Sequence, residues 1–156
     1  MPNTYSQIYI QIVFAVKHRK ALIHPSWENE LFKYITGTIQ NKGQKLIAIN
    51  GVSNHIHILI GMKPTCCLSE LVREIKKSSN LFVNEKHFTS HYFQWQEGFG
   101  AFSYSHSHLT KVITYINNQK PHHQKSTFKK EFLTLLNGFE INYNDAYTFD
   151  WIDESA

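Results

Sequence analysis

The chain has 156 residues, enough for one compact domain, and its 42% hydrophobic and 18% charged residues exclude an intrinsically disordered polymer. A net charge of +4 and a pI near 9.0 form a mild basic bias that suits a phosphate-rich partner without requiring one. No apolar run reaches the roughly 18 residues of a membrane span, and residues 1–7 lack a basic and then apolar leader, so a soluble cytoplasmic protein with no membrane partner is expected.

Alternating apolar residues Ile8, Ile10, Ile12, Phe14 and Val16 predict a first strand with one well-buried side. A basic loop with Lys17, Arg19 and Lys20 follows. Pro25 and Ser26 open a helix to about Lys42, with Leu31, Tyr34, Ile35, Thr38 and Ile39 on the core side and Gly43 as its stop. Lys45–Val52 and His55–Met62 read as two strands joined by a short turn at Ser53 and Asn54. Leu68 to about Asn84 is an amphipathic helix, with Leu71, Val72, Ile75 and Phe82 inward. Residues 85–98 read as loop with a short strand near Tyr92–Trp95. Ala101–Ser105 is a further strand. Leu109 to about Lys120 is helical, and Pro121 should end or bend it. A last helix runs from Ser126 or Thr127 to about Asn137. The expected organisation is a single domain over 1–156, with a core of about 4–137 and an acidic, aromatic tail. This order implies an α+β fold, an antiparallel four- to five-stranded sheet with helices packed on it, most simply in ferredoxin-like topology.

Three constellations could carry chemistry. In a strand, residues i and i+2 share a face, so His55 and His57 project together while Ile56, Ile58 and Ile60 project oppositely. Paired imidazoles are half of a metal site; read alone, they are as compatible with two surface histidines. Tyr115 and Gln119 lie four apart on one helix face, offering a nucleophile and a hard-cation ligand, or simply a core tyrosine beside a solvated glutamine. Arg73, Lys76, Lys77, Lys111 and Lys120, with Lys125, Lys129 and Lys130 beyond, form basic helix faces. Trp95, Phe99, Phe102 and Tyr104 gather aromatic rings. Cations and stacking rings are what a single nucleic-acid strand needs, although solvated faces and sheet core explain most of them equally well. His122 and His123 read as polar or phosphate contacts, not as metal ligands. Adjacent Cys66 and Cys67 make no CxxC motif and are expected to be reduced thiols. Asp145, Asp150 and Asp153 show no metal-loop spacing.

Over residues 4–136 the chain resembles the small single-tyrosine transposases of bacterial insertion sequences (IS200-like), which carry a His-hydrophobic-His (HUH) motif. The resemblance rests on IYIQIVFAVK, LIAINGVSNHIHILIG, LSELVREIKKSSN, WQEGFGAFSYSHS and YINNQKPHHQKSTFKKEF. It implies the ferredoxin-like, RRM-like HUH nuclease fold. It implies an enzyme that cuts single-stranded DNA at hairpin-bearing element ends and rejoins it through a 5′-phosphotyrosine, needing no ATP because the covalent bond conserves the energy. Carried over, Tyr115 is the nucleophile, and His55, His57 and Gln119 hold Mg²⁺ or Mn²⁺. Arg73, Lys76, Lys77, Lys111, Lys120, His122 and His123 are the DNA contacts assigned beside it. A homodimer is also implied, in which the tyrosine helix of one subunit can complete its partner's site. Where many relatives have an acidic residue before the first histidine, this chain has Asn54, whose amide oxygen can still orient His55. Two other readings stay open, a domesticated relative or a replication or conjugation nickase sharing the chemistry, and a non-catalytic RNA-binding sheet, which here lacks the RNP1 aromatic motif.

Overall fold

The computed structural model describes residues 3–144 and 148–151; Asp145 and Asp153 lie outside them. Strands β1 (Tyr9–Ala15), β2 (Lys45–Val52), β3 (His55–Gly61) and β4 (Gly100–Tyr104) form one antiparallel sheet in the order β2-β3-β1-β4. With helices α1 (Glu28–Asn41) after β1 and α2 (Leu68–Glu85) after β3, this is the expected α+β arrangement, in ferredoxin-like order. Among the described residues the sheet has four strands. The segment near Tyr92–Trp95 forms only an isolated bridge, Val16 to Trp95. Its neighbours hold it there, Lys17 donating to the Gln94 carbonyl at 2.8 Å and Gln96 donating to that of Ala15 at 2.7 Å.

Two helical layers cover the two faces of the sheet. Leu31, Ile35 and Ile39 of α1 and Leu71, Val72 and Ile75 of α2 bury Ile12, Phe14, Ile56, Ile58 and Ile60. Each such aliphatic side chain taken from water contributes about 1.5–3 kcal/mol, which fixes the register of β3. Tyr34, expected in the core, instead lies at its edge with its ring stacked on Phe82 at 4.2 Å. Helix α1 begins two to three residues after Pro25 and Ser26, because His24 Nδ1 accepts from the Ser26 amide and a separate turn forms first. It stops as expected, with Gly43 in the left-handed region at φ +80°.

The second face is covered by α3 (Leu109–Asn117), α4 (Gln119–His123) and α5 (Phe128–Gly138). Val112 and Ile116 of α3 pack on Ala48 and Leu59 of the sheet. The expected single helix to Lys120 is thus divided at Asn118. The cause is Pro121, which has no N–H for the Asn117 carbonyl four residues back and whose ring would strike it. Asn50 of β2 meets the need, its Nδ2 donating to the Ile116 carbonyl at 2.9 Å and the Asn117 carbonyl at 3.2 Å. No helix among the described residues is long and apolar enough to cross a membrane.

Candidate active site

Strand alternation sends His55, His57 and Leu59 toward the α3–α5 layer. Both histidines are 0% exposed, because α5 closes over them. Phe128 of α5 stacks on the His55 ring at 3.9 Å, and Thr127 caps that helix by accepting from the Lys130 amide. One turn in from that cap, Glu131 points into the histidine pair. Its Oε1 lies 3.1 Å from His55 Nε2, 3.0 Å from His57 Nε2 and 3.1 Å from His123 Nε2. Its Oε2 accepts from the Tyr115 hydroxyl and lies 3.4 Å from His122 Nε2. One carboxylate therefore joins the candidate nucleophile to four imidazoles, three of them on Oε1.

The outer ring nitrogens decide which way those imidazoles are polarised. His123 Nδ1 faces the Ser126 carbonyl at 2.8 Å, which can only accept, so Nδ1 carries the proton. In a neutral ring its Nε2 then presents a lone pair toward Glu131 Oε1 and toward Gln119 Oε1, at 3.0 Å. His55 Nδ1 lies 2.7 Å from Asn54 Oδ1, the contact expected of Asn54, and this too leaves a lone pair on Nε2. Although close to Glu131, His55 Nε2 has no hydrogen-bond partner among the described residues. His57 Nδ1 lies 2.8 Å from Gln11 Nε2, and the Tyr104 hydroxyl donates to Gln11 Oε1 at 2.7 Å. Gln11 Nε2 donates to that Nδ1, so the neutral His57 ring donates from Nε2 to Glu131 Oε1. The lone pairs of His55 and His123 turned on the same carboxylate repel it unless a cation lies between them, and their outer nitrogens are held by neighbours as a metal's imidazole ligands are.

Burial holds the His55 imidazole down at about 3, since charging it there would desolvate an ion beside His57 and His123. Burial alone would raise the Glu131 carboxyl, but the imidazoles crowded around it, His123 first and then His55 and His57, outweigh burial, so Glu131 stays well below the usual carboxylate range. Tyr115 is pushed far above an ordinary phenol, first by burial and then by the Glu131 charge. Burial likewise raises Tyr104 to about 12.

Of the residues singled out in the sequence, His55, His57 and Tyr115 come together, the Tyr115 ring standing edge-on to His57 at 5.7 Å. Gln119 is fully buried but begins α4 rather than continuing the Tyr115 helix, and its amide oxygen meets His123. His123 stands in the cluster as well. The donor atoms of His55, His57, His123 and Glu131 all lie within 4.8 Å of one another. Sequence reasoning does not single out Glu131. A signal for it exists, a lone acid at i+3 between Phe128 and Phe132 on the buried face of α5. The basic residues scatter. Arg73, Lys76 and Lys77 belong to α2, on the opposite layer, where Lys76 Nζ donates to the Gln96 carbonyl at 2.8 Å and burial lowers it to about 8. Lys120 pairs with Glu28 at 2.9 Å, and Lys111 is exposed on α3. Trp95 and Phe102 are core residues, with Trp95 Nε1 donating to Ser79 Oγ at 2.8 Å.

Residues 4–119 match the family model for IS200-like transposases. The chain belongs to this family. Solved structures of similar fold include a presumed transposase from Deinococcus radiodurans, at 17% identity and TM-score 0.60 over 75% of this chain and 94% of that one. Another is a REP-associated tyrosine transposase bound to a REP hairpin, at 16% identity and TM-score 0.60 over 99% of this chain and 93% of that one. Comparison with curated proteins gives no match. The matched segment of this IS200-like transposase ends at Gln119, so His123 and Glu131 lie beyond it, on α4 and α5.

Proposed function

We propose that this transposase cleaves and rejoins single-stranded DNA at element ends with Tyr115 as nucleophile, through a 5′-phosphotyrosine. The observation that carries the reading is the hydroxyl of Tyr115 bound to the carboxylate that touches His55, His57 and His123. The donor set, imidazole nitrogens beside one carboxylate, suits Mn²⁺; Mg²⁺, the other ion the resemblance implies, prefers oxygen ligands. His55 Nε2 is without a hydrogen-bond partner, and a carboxylate oxygen and two further imidazoles lie within reach of one ion. His55 and His57 would hold it with Glu131 and His123, Gln119 bordering the set. When bound, such an ion polarises the scissile phosphate and offsets the charge that develops on it.

The chain's own groups do the rest. Asn54 and Gln11 fix the imidazole rings, and Asn50 fixes the C-terminal turn of α3 and so the position of Tyr115. The hydrogen bond to Glu131 Oε2 holds the Tyr115 hydroxyl in place; its oxygen attacks phosphorus, the bond from phosphorus to the 3′ oxygen breaks, and the proton given up by the phenol ends on that 3′ oxygen. The leaving oxygen needs one proton and the tyrosine gives up one, so the exchange is proton-neutral and reversible. The hairpin held by the REP-associated relative supports hairpin DNA as the partner class. The homodimer implied by the family resemblance belongs to the same reading. The test is incubation with single-stranded end hairpins and Mn²⁺. A covalent adduct resistant to detergent is expected, and it should vanish in Tyr115→Phe. No adduct, or one that persists in that variant, refutes the assignment.

A further inference from the structure

Beside the buried histidine pair and Gln119, Tyr115 lines an open pocket of about 440 Å³ between α3, α4 and α5. That volume falls within the range of small-ligand sites, roughly 300–1,000 Å³. The Tyr115 ring and Leu135 give it an apolar wall. Glu131 is its sole acidic lining residue among the described residues, and that carboxylate is occupied with Tyr115 and the imidazoles. At the mouth stand Lys125 and Lys130, both exposed, and neither forms an ion pair among the described residues. This sets them apart from Lys76 and Lys120, whose ammonium groups are held by backbone carbonyls, Asn50 and Glu28.

We propose that this pocket seats the nucleotide beside the attacked phosphodiester of a single DNA strand, with Lys125 and Lys130 on its phosphate oxygens. The proposal rests on the reading of Tyr115 as nucleophile and deepens it. A base lies against the Tyr115 and Leu135 wall while the backbone passes between two cations, the combination single-strand binding requires. Both lysines are outside the segment matched to the family, so this interaction is carried by α5 and the turn that leads into it.

The experiment measures binding of a fluorescein-labelled oligothymidylate of about 20 nucleotides to the full chain in EDTA, across a potassium chloride series. Removing one lysine–phosphate pairing should lower the slope of log affinity against log salt by about 0.7, so Lys125→Ala with Lys130→Ala should remove about 1.4 and weaken binding roughly 25-fold at about 0.1 M salt. Lys33→Ala with Lys86→Ala, on the opposite helical layer, should leave the slope unchanged. Thermal melting of both double variants should match the parent, since all four side chains are exposed. An unchanged slope in the Lys125, Lys130 variant, with the parent still binding and still forming its Tyr115 adduct, overturns the subsite alone. A parent that forms no adduct with end hairpins overturns the nucleophile assignment and the subsite with it.

Discussion

Acid should destabilise the metal-free protein earlier than its carboxylates alone would, and His55 is the reason. Its imidazole titrates at 6.5 when unfolded and about 3 when folded. A depressed folded value means that the unfolded chain takes up the proton first, so the stability His55 contributes is complete above 6.5 and declines as the pH falls through that value toward 3. Each pH unit in that window costs about 1.4 kcal/mol, so lowering the pH from 7 to about 5 should remove about 2 kcal/mol. With a urea slope of about 1–3 kcal/mol per molar, the midpoint should fall by about 1 M. The assay is urea unfolding in EDTA at the two pH values, on the parent and on His55→Gln, which has no imidazole to charge. The variant should be less stable at neutral pH but nearly level across the window. A parent midpoint that holds, or a variant that slides as far as the parent, refutes the argument. Below about pH 5 a second loss should set in. Glu131 is depressed from its ordinary 4.5, so its contribution is present above that value and disappears as the pH falls further.

Two substitutions test how the sheet supports the site. A Cβ on Gly51 would stand 2.4 Å from the His55 carbonyl oxygen, backbone that cannot swing aside. Gly51→Ala should therefore cost about 2–3 kcal/mol, lower Tm by roughly 5–10 °C, and weaken any Mn²⁺-dependent rise in Tm by displacing His55. Asn50→Ala strips the donors from the Ile116 and Asn117 carbonyls. It should cost about 1–3 kcal/mol and reduce Tyr115 adduct formation more than it lowers stability, measured as adduct rate beside urea midpoint.

The periodicity of the sequence locates most of the scaffold because the forces there are local. Alternation at β1 and β3 and the helical spacing of Leu71, Val72 and Ile75 reflect burial that each element needs wherever it packs. The convergence of His55 and His57 is legible for the same reason. Their enclosure is not, since alternation says which face a side chain takes and not what covers it. Residue spacing suggests that Tyr115 and Gln119 ride one helix; Pro121 divides it, and the compensating donor, Asn50, comes from 66 residues earlier in the chain. Glu131 is hidden by the distance between β3 and α5 in sequence, 74 residues from His57, and by its placement among aromatic neighbours that read simply as core. Strand pairing holds a similar limit. The Tyr92–Trp95 segment has strand-like residues but finds only one bridge, because β1 already pairs with β3 and β4 over most of its length.

The lid that α5 places over the histidines sets an order of events. His55 and His57 are fully enclosed in the described chain, so a phosphate oxygen cannot reach the space between their Nε2 atoms while Glu131 stands there. The central strand β3 is held by partners on both edges, whereas α5 pairs with no strand and is held through side chains, Phe128, Phe132 and Leu136 with Phe149 and Trp151 against them and Glu131 among the histidines. Amides of α5 should thus exchange with deuterium well before those of β3, and entry of an ion to the enclosed histidines should follow that local opening.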